Sequence, residues 1–286
     1  AMALSANRAH ATGRVQPRHR ALMKLQLVAP ARGALWVRQA FAVFFKQPLA
    51  FSAVFASFML VLFLLAMLPF VGTFLLLAGL PLATLALMVA TRTACSGRSP
   101  LPTAFTEPLR SGRARLLALG QLGMAYAAST LFIMVLSDFA DGGTLDALLR
   151  MLGDAKTPPE QIAEGIGDPQ LQFGLLLRFS LAALLALPFW HAPALVHWGG
   201  LGASKALFFS TIACWRNKGA LTVYAFTWTA VIVGIALLAN LLFFAIGQPR
   251  LIGLFAMPAS LLISTVFYVS LYFTFADSFV QDDDPT

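Results

Sequence analysis

Six apolar runs, each of 20 residues or more, follow one another along the chain: Leu49 to Leu68, Val71 to Thr91, Leu116 to Leu136, Leu171 to Trp198, Ala220 to Ile246 and Leu251 to Ala276. About 20 apolar residues suffice to cross a bilayer as a helix. Hydrocarbon offers no water to backbone amides and carbonyls, and these runs show no alternation of polarity, so they read as helices rather than barrel strands. The expected fold class is all-α, a polytopic membrane bundle of six transmembrane helices. Composition agrees: of 286 residues 59% are hydrophobic and 11% charged, against roughly a quarter charged in soluble domains. A soluble globular enzyme is excluded.

In a soluble chain a net charge of +8 would suggest nucleic acid. Here the basic residues cluster in short segments between apolar runs, where they act as topology signals, and no nucleic-acid partner is expected. One side of the six spans holds the N-terminus, the 92–115 and 199–218 segments and the C-terminus, with sixteen Lys and Arg against five acids, a balance of +11. The other side holds Arg150, Lys156, Arg178 and Arg250 against seven acids, a balance of −3. The positive-inside rule then makes both termini cytoplasmic. Residues 1–33 read as a basic, disordered tail without the apolar core of a signal peptide, with Met23 as an alternative start. Residues 34–279 form the membrane domain and 280–286 a short acidic tail.

Three segments resemble one another. Ala34 to Lys46 is amphipathic, with Trp36, Val37, Ala40, Phe41, Phe44 and Phe45 on one broad face, and such a helix is expected in the membrane interface on the cytoplasmic side. Before the fifth run, Leu207, Phe208, Thr211, Ile212 and Trp215 repeat the device, ending in Arg216, Asn217 and Lys218. A weaker copy with Phe105 and Leu109 precedes Arg110, Arg113 and Arg115. The chain thus reads as three units, each an interfacial helix followed by an out-and-back hairpin. Arg38, Lys46, Arg113, Arg115, Lys205, Arg216 and Lys218 are the expected contacts to anionic lipid headgroups.

The turn between the third and fourth runs spans 137–170, while the other two outer turns are tight. A connection that long usually has structure of its own. Thr157-Pro158-Pro159-Glu160 has the form of a helix start, with Thr157 as cap and Pro158 at the first position, and Asp168-Pro169 repeats that form. Thr144 to Leu152 reads as another short helix. An acidic, helical extracytoplasmic cap is expected.

The densest constellation is Phe189-Trp190-His191-Ala192-Pro193-Ala194-Leu195-Val196-His197-Trp198. With Pro188 it places two prolines five apart, which must loosen the helix. Trp190, His191, His197 and Trp198 are therefore the candidate ligand or partner site, either as donors to freed carbonyls, as a metal, haem or headgroup site, or as an interfacial belt around a kink. His191 and His197 are six apart and point to different faces of a regular helix. Arg178, inside the fourth run, joins them as a candidate; pairing outward with Asp168, Glu164 or Asp138 is its structural alternative. Pro81, Pro188, Pro193 and Pro258 could mark broken transporter helices, whereas small pairs such as Gly123 with Ala127 favour close packing. Neither Cys95 nor Cys214 has a cysteine partner nearby, and no nucleotide loop, metal spacing or nucleophile elbow is present, so no catalytic residue, metal or cofactor is expected.

Met23 to Val28 followed by Trp36, the Lys46-Gln47-Pro48-Leu49 junction, the Phe189 to Trp198 run and Cys214-Trp215-Arg216-Asn217 resemble an uncharacterised betaproteobacterial family of multi-pass inner-membrane proteins. The resemblance covers Met23 to about Phe279 and implies a bacterial inner-membrane location without an activity. More distantly, the plan is similar to the membrane domain attached to some glycerophosphodiester phosphodiesterases, although this chain has no catalytic domain. The expected function is non-catalytic: a scaffold, or a binder of a membrane partner or lipid. A transporter or channel for a small amphiphilic solute is the alternative, and a haem or metal protein a third.

Overall fold

The structure, a computed structural model, describes residues 23–281 except Ala155 and Pro249. In chain order it contains β1 (Met23–Leu25), α1 (Arg32–Lys46), α2 (Pro48–Ala66), α3 (Gly72–Cys95), a 3-10 turn (Pro102–Phe105), α4 (Thr106–Leu109) and α5 (Arg113–Asp141). Next come α6 (Thr144–Gly153), α7 (Pro159–Gly167), α8 (Pro169–Phe189), α9 (Ala192–His197), α10 (Ala203–Arg216), α11 (Lys218–Ala245), α12 (Leu251–Ser278) and β2 (Phe279–Gln281). Among the described residues six spans are long and apolar enough to cross a membrane: α2, α3, α5, α8 with α9, α11 and α12. The fold is an all-α polytopic bundle. Pro81 and Pro258 are carried inside unbroken helices, so of the prolines singled out only Pro188 and Pro193 border a break.

The three units close head to tail. The α1 helix packs on α11 and α12, the 3-10 turn and α4 pack on α3, and α10 packs on α8 and α9. Each short element therefore rests on the hairpin of the unit before it in cyclic order. In lipid there is little hydrophobic gain in joining apolar helices, so close approach decides which pairs form. A Cβ on Gly123 of α5 would collide with the Ala78 carbonyl oxygen of α3, and one on Gly33 of α1 with the Ala220 carbonyl oxygen of α11.

The apolar face of α1 meets protein. Trp36, Val37, Ala40 and Phe44 are buried, so this face is turned to protein; an amphipathic pattern alone does not say whether its apolar side meets lipid or another helix. In α10 the small side chains Ala203, Ala206, Ser210 and Ala213 are buried while Phe208 and Trp215 stay exposed.

Residues 1–22 and 282–286 of the expected tails lie outside the described residues. Residues 23–33 are not a tail: Met23, Lys24 and Leu25 pair antiparallel with Gln281, Val280 and Phe279, and Arg32 opens α1. Asp277 explains the anchoring, since it accepts from Arg32 Nε at 2.7 Å and from the indole of fully buried Trp36 at 2.6 Å.

At the other end α5 stops at Asp141, whose carboxylate accepts from the Gly143 amide at 2.7 Å, with Gly142 in the left-handed region. Two short helices follow. The second starts one residue later than expected: Pro158 is its cap and Pro159 its first residue, and no side chain closes it. Thr157 fails as cap because Pro158 is extended, with ψ 141°. Asp168 does cap α8, accepting from Gln170 and Leu171 amides at 2.7 and 3.3 Å.

Candidate functional site

The fourth span breaks at Trp190 and His191, between α8 and α9. Proline removes an amide hydrogen and clashes with the preceding turn, and Pro188 and Pro193 do so on either side of the break. A side chain inserted into the hydrogen-bond ladder completes it. The buried Ser210 hydroxyl of α10 accepts from the His191 amide at 3.0 Å and donates to the Leu187 carbonyl at 2.9 Å. It thus bridges the donor and acceptor, four residues apart, that a continuous helix would join directly. The Cys214 thiol donates to the same carbonyl at 3.5 Å. Desolvation pushes that thiol up to about 12, against a smaller opposing effect of its hydrogen bond to Ser210. The donors expected at this break were the imidazoles and indoles; α10 supplies them instead.

The five candidate residues do not converge on one point. The indole of Trp190 donates to Thr274 of α12 at 3.2 Å. His191 is 1% exposed, its ring beside Phe275 and Phe279, and its Nδ1 has no hydrogen-bond partner among the described residues. His197 sits 2.9 Å from the Ser111 hydroxyl through Nδ1, and its Nε2 lies 3.5 Å from Glu107. Trp198 lies under the Arg92 guanidinium, 5.4 Å from its ring centroid. Arg178 is far along α8 and pairs with Asp138 of α5, away from the break. Among the described residues no group of three or more His, Cys, Asp or Glu is placed to hold a metal. Arg38, Lys46, Arg113, Arg115, Lys205, Arg216 and Lys218 are all exposed.

Around the break the ring of units is incomplete. Hairpins meet where α3 packs on α5 and where α12 packs on α2 and α3, but α8 and α11 hardly touch. The gap is a cleft of about 280 Å³ walled by Ala183 and Ala186 of α8, Trp190 at the break, Tyr224 and Trp228 of α11 and Phe267 of α12. Two further cavities adjoin it: one of about 190 Å³ shares Ala186, Trp190 and Phe267 with it and extends towards Pro81, and one of about 330 Å³ shares Trp228 and Phe267 and extends towards Ile232. No charged side chain lines any of the three. At about 1.5 Å per residue, Tyr224 to Ile232 lies about 9 to 21 Å above Lys218, reaching the middle of a bilayer core about 30 Å thick. The Tyr224 hydroxyl is not offered to the cleft, being bonded to Ser270 at 2.6 Å.

Compared with known proteins, the chain is 34% identical over 261 residues to a probable inner membrane protein of Burkholderia thailandensis, covering 90% of this chain and 94% of that one. It belongs to that inner-membrane family. No family model matches the chain, and no solved structure matches it. This member of the family is thus a multi-pass inner-membrane protein.

Several residues of this inner-membrane protein escape sequence reasoning. Asn217 is buried, accepts from the Val28 amide at 3.0 Å and donates to the Gln26 carbonyl at 3.1 Å and the Ser278 hydroxyl at 3.3 Å. It ties the segment before α1 and the last residue of α12 to the α10–α11 junction. Its position in the repeated junction was visible; its partners, 189 and 191 residues away on one side, were not. Ser210 left one usable signal, a hydroxyl among alanines on the inward face of α10. Arg92 reads as one basic residue among five in its segment.

Proposed function

We propose that this inner-membrane protein is a non-catalytic lipid binder that takes an acyl chain of a membrane lipid into the seam between α8 and α11. The observation that carries this is the seam itself: an aromatic-walled, uncharged cleft at the depth of the hydrocarbon core, where the helix ring fails to close. A chain already in hydrocarbon gains nothing by mere burial, so shape and packing select it. The occupant's head then falls at the basic end, where Lys205, Arg216 and Lys218 of the α10 region are exposed. Each such cation near an anionic membrane surface contributes about 1 kcal/mol. With both termini cytoplasmic, Arg38, Lys46, Arg113 and Arg115 face the same headgroup layer.

The rival, a transporter or channel for a small amphiphilic solute, needs polar groups along its path, and the uncharged lining favours binding over passage. A scaffold whose partner inserts an apolar helix would use the same seam. Mass-spectrometric quantification of lipid and protein retained through mild-detergent purification tests the reading. Lipid bound in fixed ratio to the protein, lost in Ala225→Phe, which fills the seam, is the expected result. Retained lipid unchanged by that substitution refutes it, and a protein partner displaced in place of lipid makes the scaffold reading the correct one.

A further inference from the structure

We infer that the basic end carries a second site, for the anionic head of a single-chain amphiphile, in which Arg92 receives a phosphate or carboxylate and the Trp198–Tyr272–Phe275–Phe279 wall receives the start of the chain. This site is separate from the seam and does not depend on its reading. A cavity of about 180 Å³ opens there, bounded by Arg92 of α3, Trp198 after α9, Tyr272 and Phe275 of α12, Phe279 of β2 and Met23 of β1. Its walls are aromatic: Trp198 packs 5.1 Å from Phe275 and 6.2 Å from Tyr272, and Phe275 stacks on Phe279 at 5.2 Å.

Among the described residues Arg92 is the only charged side chain at this cavity. Held over the Trp198 face, its guanidinium is placed in advance, and a planar guanidinium suits bidentate recognition of phosphate or carboxylate. Among the described residues no carboxylate pairs with it. The neighbouring acid, Glu107, faces His197. Arg115 adds a second cation nearby, its guanidinium 3.7 Å from where a Cβ on Gly200 would stand, and no carboxylate among the described residues pairs with it either. A site with one fixed cation, a second beside it and an aromatic slot behind has the polarity of an amphiphile's head and first methylenes, not that of a free inorganic ion.

Decyl phosphate, decanol and inorganic phosphate are the probes, titrated into the full-length protein in neutral detergent, with binding read by calorimetry and Trp198→Phe assigning the tryptophan fluorescence change. Decyl phosphate is expected to bind more tightly than either other probe, with affinity falling about 10-fold or more in Arg92→Gln and partly kept in Arg92→Lys, since charge-assisted bonds are the strong ones. Ala225→Phe, which fills the seam, leaves this binding unchanged. Repetition in phosphatidylcholine nanodiscs with and without phosphatidylglycerol separates the sources: competition identifies a lipid headgroup as a ligand, and its absence identifies a soluble amphiphile. Equal binding of decanol, an Arg92→Gln affinity equal to that of the unaltered protein, or loss of binding in Ala225→Phe would overturn the proposal.

Discussion

Replacing Ser210 by alanine removes one oxygen and leaves two buried backbone groups to find partners. In the intact protein that hydroxyl joins the His191 amide to the Leu187 carbonyl at 3.0 and 2.9 Å. Each buried group left unpaired costs about 1–3 kcal/mol. Two relaxations reduce the sum: Cys214 already reaches the Leu187 carbonyl at 3.5 Å, and the turn can tighten so that amide and carbonyl bond directly. The amide has no such substitute among side chains, so a net loss of about 2 kcal/mol is expected, roughly 30-fold in the folded-to-unfolded ratio. Unfolding by titrated SDS in mixed micelles measures it, with Cys214→Ala and the double variant completing a cycle. The double variant should lose more than the sum of the singles, because neither remaining group then holds the carbonyl. A Ser210→Ala loss under about 0.5 kcal/mol, or strict additivity, would show that the break is held by Pro188 and Pro193 alone.

Other consequences are as direct. Cys95 is exposed and Cys214 buried, so a maleimide should modify Cys95 and spare Cys214 until the protein is unfolded; on the proposed topology, an impermeant reagent reaches Cys95 only in inverted vesicles. Because the folded Cys214 thiol sits raised to about 12, the unfolded thiol ionises first, and the stability linked to it is present below about pH 9 and drains away as pH rises towards 12; unfolding midpoints of Cys214→Ala should lack that alkaline decline. In Gly33→Ala the added methyl meets the Tyr224 amide nitrogen at 2.6 Å as well as the Ala220 carbonyl, and α1 must shift from α11 at a cost of about 1–3 kcal/mol, read in the same SDS titration. Asn217→Leu should free Gln26 and Val28, and limited proteolysis should then cut near Lys24 at native-like core stability.

The spans were legible because length and apolarity alone satisfy the bilayer's demand on the backbone. The break was legible too, from Pro188 and Pro193. What closes it was not, since Ser210 lies 19 residues beyond His191 on another helix, and nothing in the sequence between them fixes that approach. The same limit governs α1, whose apolar face was plain in Trp36, Ala40 and Phe44 while its partner was not. For a related reason Trp190, His191, His197 and Trp198, adjacent in sequence, do not share one set of partners. The nine positions from Trp190 to Trp198 run across a break and turn towards different neighbours, and proximity in sequence stops meaning proximity in space. The seam left no signal at all, because Ala183, Ala225 and Phe267 look like any lipid-facing residues until α8 and α11 fail to meet.

That failure has a physical origin in the second unit. Only its hairpin carries a long connection, and the helices of that connection pack back on it, α6 on α5 and α8, and α7 on α8. Near the same end Arg178 pairs with Asp138, and a Cβ on Gly174 would collide with the Cβ of Asp141, so the first half of α8 is drawn tightly to α5. At the other end the break turns α9 inward, onto α3 and α5. A helix braced to one neighbour along its first half and redirected beyond its last proline cannot also lie along α11. The acidic loop and the proline break thus act on one helix from opposite ends, and the uncharged cleft is the space they leave between the second and third units.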